Sequence, residues 1–148
     1  MSQMLGNYHF LIRDFSSAKE ELEKSYTEST PDLLSIKKLI ICYTQTDQLN
    51  DAVKISCSLL NEDADSILIK DPEKEDCPCK NLIEKLESGD LLRKSLYDLF
   101  VELGVLWLFC DDKKSLSYFE DAANLNSSDT RINQIISILK SKIKLRRS

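Results

Sequence analysis

Apolar residues recur along most of this chain at the spacing of a helix face rather than of a strand. Near the end, Ile132, Ile135, Ile136, Leu139 and Ile143 fall on one side of a 3.6-residue period. Read this way, the pattern predicts helices at about 2–13, 16–28, 32–45, 49–61, 91–110, 113–125 and 129–146. Start signals support several of them. Thr30-Pro31-Asp32 offers a capping oxygen, a proline at the first helical position and an acid at the positive end of the dipole. Ser17 followed by Glu20 has capping-box spacing, and Ser128-Asp129 precedes the last run. Short polar links between neighbours imply antiparallel hairpins. The expected fold class is all-α.

One region breaks the pattern. Residues 61–90 contain ten acids and four lysines, with Pro72 and Pro78, and apolar positions thin out except at Ile67-Leu68-Ile69 and Leu82-Ile83-Leu86. An acidic, mostly irregular insertion over about 62–90, with one short helix at 80–88, is expected there.

Self-comparison adds a period. At an offset of 34, Leu5 meets Leu39, Tyr8 meets Cys42, His9 meets Tyr43, Phe15 meets Leu49 and Ala18 meets Ala52. A further copy appears at 63 to 64 from the second, setting Leu103 against Leu39 and Trp107 against Tyr43, as an insertion of about 30 residues requires. The stretch Gly6-Asn7-x-x-Phe10-x-x-x-Asp14-Phe15-x-x-Ala18 resembles the opening of a tetratricopeptide repeat. Leu103-Gly104-x-x-Trp107 followed by Tyr118-Phe119-Glu120-Asp121-Ala122-Ala123-Asn124-Leu125-Asn126 resembles another. The resemblance implies a single domain over 1–148, with helix hairpins stacked as a short superhelix. Its units would lie at about 2–29, 32–61 and 91–126, with a capping helix at about 129–146.

The same resemblance implies a concave groove lined by the first helix of each hairpin. Its positions are Gln3, Asn7, Phe10 and Leu11 in the first unit, Leu34, Lys37, Ile41, Thr44 and Gln45 in the second, and Asp98, Val101, Val105, Leu108 and Phe109 in the third. The third set forms one apolar stripe, while Leu99, Leu103, Leu106 and Cys110 form the opposing one. Such a groove suits an amphipathic helix or an extended peptide, supplied by a partner or by the chain's own insertion or cap. Members that clamp acidic chaperone tails carry convergent lysine, asparagine and arginine donors. Here only Asn7 is kept, with Gln3 and Lys38 elsewhere, so a chaperone-tail clamp is disfavoured.

Composition narrows the chemistry. Gly6, Gly89 and Gly104 are the only glycines and never cluster, which excludes a phosphate-cradling loop. His9 is the only histidine and takes the aromatic position equivalent to Tyr43 and Trp107, so packing is expected of it rather than general-base work. Cys77-Pro78-Cys79 lacks the second ligand pair of a zinc site, and the acids of 61–90 lack calcium-loop spacing. No enzyme, cofactor or metal is therefore expected. Cys42, Cys57 and Cys110 sit in apolar helical patterns as free thiols would, which points to a reducing cytoplasmic or nuclear setting. No signal or membrane segment is expected either: the most apolar stretch, Leu99 to Cys110, is twelve residues long and carries Glu102.

Charge is unevenly placed. Residues 1–139 carry a net −10, while Lys140, Lys142, Lys144, Arg146 and Arg147 give the last nine residues +5. That basic end could contact nucleic acid or an acidic surface. The sequence as a whole reads as a monomeric protein-interaction adaptor, an accessory factor or subunit of a larger complex; a ribonucleoprotein-associated factor is the alternative.

Overall fold

The computed structural model describes residues 2–28, 33–67, 80–89 and 93–147. Among them are eight helices and no strand, so the all-α expectation holds. They are α1 (Ser2–Leu11), α2 (Phe15–Glu28), α3 (Leu33–Gln45), α4 (Leu49–Ile67), α5 (Lys80–Ser88), α6 (Leu96–Trp107), α7 (Asp112–Leu125) and α8 (Thr130–Arg147). The Thr30-Pro31-Asp32 start and the Cys77-Pro78-Cys79 segment fall outside the described residues. The chain divides into two compact units, Met1–Ala52 and Val53–Ser148, with the boundary inside α4.

In the first unit α1 packs on α2, and both α1 and α2 pack on α3. The α1–α2 crossing is close because Gly6 lies against Leu22: a Cβ there would stand 2.7 Å from the leucine side chain. Phe10 and Phe15 meet edge-on at 5.8 Å at the end of the hairpin. The turn between them is made by Arg13, whose φ of 65° places it in the left-handed region. Its N–H donates to the carbonyl of Phe10 and that of Asp14 to the carbonyl of His9, which satisfies the last carbonyls of α1. Asp14 then caps α2 by accepting from the Ser17 N–H at 3.2 Å. The expected capping oxygen of Ser17 is thus replaced by one three residues earlier, because the turn delivers the Asp14 carboxylate to the free amides of the new helix. Asp47, which follows α3 at the position 34 residues beyond Arg13, has a φ of 60°, and the Gln48 N–H donates to the carbonyl of Tyr43.

In the second unit α6 pairs with α7, α7 with α8, and α5 with α6. Gly104 lies against the ring of Phe119, where a Cβ would meet three ring carbons at 3.0 Å, and Ser115 Oγ donates to the Gly104 carbonyl at 2.5 Å. Ser95 accepts from the Asp98 N–H, Asp111 from those of Lys113 and Lys114, and Asp129 from that of Arg131. Helix 91–110 of the sequence reading therefore shortens to Leu96–Trp107, bounded by the Ser95 cap and by the turn leading to the Asp111 cap. The helix expected to end at about 61 does break close to there, and a short helical stretch follows the break. α4 runs to Ile67 with a break at Asp63, whose φ and ψ of −160° and 79° leave the helical region.

Ala18, Ala52 and Ser115 are each fully buried, and the N–H of each donates to the backbone carbonyl four residues earlier, on Asp14, Gln48 and Asp111.

Candidate functional site

The sequence-predicted groove residues split by unit. In the first, Asn7 Oδ1 accepts from Lys38 Nζ at 3.2 Å, and the same ammonium stands 5.5 Å over the ring of Phe10. This ties α1 to α3 with a charge held over an aromatic face. On the same two helices, Leu11 and Leu34 are 74% and 52% exposed. Lys37 and Gln45 are half-buried, whereas Phe10 and Ile41 are buried in the core of the unit. Gln45 donates to Thr44 Oγ1 at 3.0 Å. On the other flank of α1, His9 stands edge-on to Tyr8 at 5.4 Å and 3.8 Å from the Asp14 carboxylate.

The apolar wall expected in the third unit is not an open surface. Val101, Val105, Leu108 and Phe109 are at most 2% exposed, and they belong to the core of the second unit. In the opposing stripe Leu103, Leu106 and Cys110 are buried as well and Leu99 is half-buried, so α6 from Val101 onward is enclosed by its own chain. One contributor is α5, which buries Ile83 and Leu86 and packs on α6. Asp98 is half-buried at the start of α6. Its stretch of apolar wall is explained by packing rather than by a ligand.

A polar latch accompanies α5. Glu87 Oε2 accepts from Trp107 Nε1 at 3.3 Å and from Tyr118 OH at 2.5 Å, while Lys114 Nζ sits 4.3 Å over the indole. Burial, then the hydrogen bond and the charge of Glu87, push the Tyr118 phenol up to about 12. Deeper in the unit, Arg93 donates through Nε to Glu102 Oε1 at 2.6 Å and through a terminal nitrogen to Glu102 Oε2 at 2.9 Å. The Glu102 side chain is 3% exposed, so this two-point pairing is what lets a carboxylate sit in the apolar stretch.

No described thiol is poised for nucleophilic work. Burial pushes Cys42 up to about 12 and also raises Cys57, whose Sγ donates to Gln134 Oε1 at 3.1 Å. Cys110 is not the free thiol expected from its apolar setting: it is disulfide-bonded, a pairing that depends on which chain segment folds back to it and not on local pattern. Among the described residues no group of three or more histidine, cysteine or carboxylate side chains is set to hold a metal ion.

The basic end is partly neutralised by its own fold. Lys140 pairs with Glu120 at 3.4 Å and Lys142 with Asp65 at 3.1 Å. The side chains of Arg146 and Arg147 lie outside the described residues. The Lys142–Asp65 pair crosses a cavity of about 430 Å³ between the broken end of α4 and α8, lined also by Glu62, Asp63, Ser137 and Ser141. No helix among the described residues is long and apolar enough to cross a membrane.

Comparison with known protein families, with curated proteins and with solved structures finds no match.

Proposed function

We propose that this chain is a non-catalytic protein-interaction adaptor of tetratricopeptide-like repeat design, with a partner helix or extended peptide docking on the α1/α3 face. The observation that carries this reading is where the exposed apolar surface lies. Among the described residues, seven of the ten exposed large apolar side chains stand in the first unit, with Leu11 and Leu34 on the two helices that the Lys38–Asn7 pair joins. Apolar patches with polar anchors are the ordinary composition of a peptide-docking surface.

Three recurrences support the repeat design. The left-handed residues Arg13 and Asp47 end α1 and α3 at a spacing of 34. Ala18, Ala52 and Ser115 recur as buried small residues at the same place in each unit. Gly6 against Leu22 repeats as Gly104 against Phe119. In the middle unit the equivalent positions hold Ile40 and Ser56, both fully buried. The small residue has moved from the first helix to the second, which explains why that unit matches the repeat pattern least well.

A ribonucleoprotein role through the basic end is weaker, because Lys140 and Lys142 already pair with this chain's carboxylates. Capture of partners by wild type, by Leu11→Asp with Leu34→Asp, and by a Lys140, Lys142, Lys144, Arg146, Arg147 to Gln variant separates the two. The groove reading expects loss only in the first variant and little change with salt. Loss only in the second, with a steep salt dependence, would replace it by phosphate binding.

A further inference from the structure

The first twelve residues carry no formal charge in a chain that is 30% charged. α1 uses Gly6 and Phe10 inward, yet its other side is apolar as well: Met4, Leu5, Tyr8, Leu11 and Ile12 are 73%, 44%, 56%, 74% and 55% exposed. Ile12 continues the helical path, its N–H donating to the Tyr8 carbonyl at 3.3 Å. A helix apolar on both sides is one that another element covers. The contrast with α8 is direct, since there the exposed positions Asn133, Lys140 and Lys144 are polar.

We propose that this outer face of α1 pairs with α1 of a second copy of the chain, antiparallel about a two-fold axis near Tyr8. The stripe has the symmetry that such a contact demands. Met4 and Leu5 lie four and three residues before Tyr8, and Leu11 and Ile12 three and four after it. An antiparallel pair sets Met4 against Ile12 of the partner subunit, Leu5 against Leu11 of the partner subunit, and Tyr8 against the partner subunit's Tyr8. Every one of those meetings is apolar on apolar. A two-fold contact also brings each residue near the axis towards its own copy, so any charge in the stripe would repel itself; the stripe has none. The five side chains offer about 500 Å² per copy, so a pair buries about 1,000 Å² at most, which sets the contact at the weak end of specific association. The monomer expected from sequence is thereby replaced by a weak dimer. The pairing claims five of the seven exposed apolar side chains of the first unit, and Leu11 also lies on the proposed docking face, so its test uses Tyr8, Met4 and Ile12, none of which is a groove position.

Sedimentation of the full chain over a wide concentration range tests the pairing. Wild type is expected to rise from 17.0 kDa towards twice that mass and to stop there, because a two-fold contact closes. Tyr8→Lys and Tyr8→Glu, each alone, weaken association by about a hundredfold as like charges meet at the axis, and an equimolar mixture of the two restores it. A second set guards against misfolding at position 8. The antiparallel register predicts that Met4→Lys with Ile12→Glu in one chain still self-associates, while Met4→Lys with Ile12→Lys does not. Wild type fixed at 17.0 kDa, open-ended growth, or reversed behaviour of the Met4 and Ile12 variants overturns the proposal.

Discussion

Phe109 offers the sharpest test of whether the third-unit wall is core or surface. It is 2% exposed and among the largest fully buried side chains, in the turn that follows α6. Replacing it with alanine removes the whole ring from an enclosed position and leaves a void that neighbours can only partly fill, a loss of about 3–5 kcal/mol. With a urea slope of about 2 kcal/mol per molar, that loss moves the unfolding midpoint down by about 1.5–2.5 M at unchanged slope. The readout is built in: Trp107 is the only tryptophan, lies in the same unit two residues away, and is held by Glu87 and Lys114, so its emission follows unfolding of that unit. A midpoint shift below about 0.3 M would refute the burial argument, because a side chain that contributes so little is not enclosed. If partner capture were lost at the same time, the wall would be an open docking surface after all.

Other outcomes follow from named pairs. Arg93→Met removes two charge-assisted hydrogen bonds from the buried Glu102 carboxylate and lowers the stability of the second unit by about 3 kcal/mol in urea unfolding; a loss under about 1 kcal/mol would mean that this pairing is not what holds the carboxylate there. Cys42 and Cys57 stay unreactive towards a thiol reagent at pH 8 in the folded chain and react on denaturation, since burial raises both thiols; rapid native labelling of Cys42 contradicts its burial. The Tyr118 phenol is raised in the folded state, so its contribution to stability is fully present below its ordinary value near 10 and is lost as pH rises towards about 12. Glu87→Gln should shift its spectroscopic titration downward, and an unmoved titration would show that burial alone raises it.

Much of the architecture is local and was legible in the order of residues. The period-3.6 stripes placed α2, α3, α7 and α8 to within one or two residues, and α5 as well, because helix propagation and capping depend on neighbours a few positions apart. Ala18 and Ala52, set 34 residues apart by the sequence period, are both fully buried. What the pattern could not supply was which apolar faces are covered. The stripes of α6 looked like a groove wall on one side, yet α6 is buried on both, whereas α1, also apolar on both sides, is left open on one. Burial is decided by elements distant in sequence, and periodicity is blind to them. The Arg93 partner that makes Glu102 tolerable, the Glu87 latch on Trp107 and Tyr118, the pairing of Lys140 and Lys142 with Glu120 and Asp65, and the disulfide of Cys110 all arise in the same way. Each depends on two positions brought within a few ångströms by the fold, and the energy of such contacts falls off too steeply with distance for either residue alone to announce it.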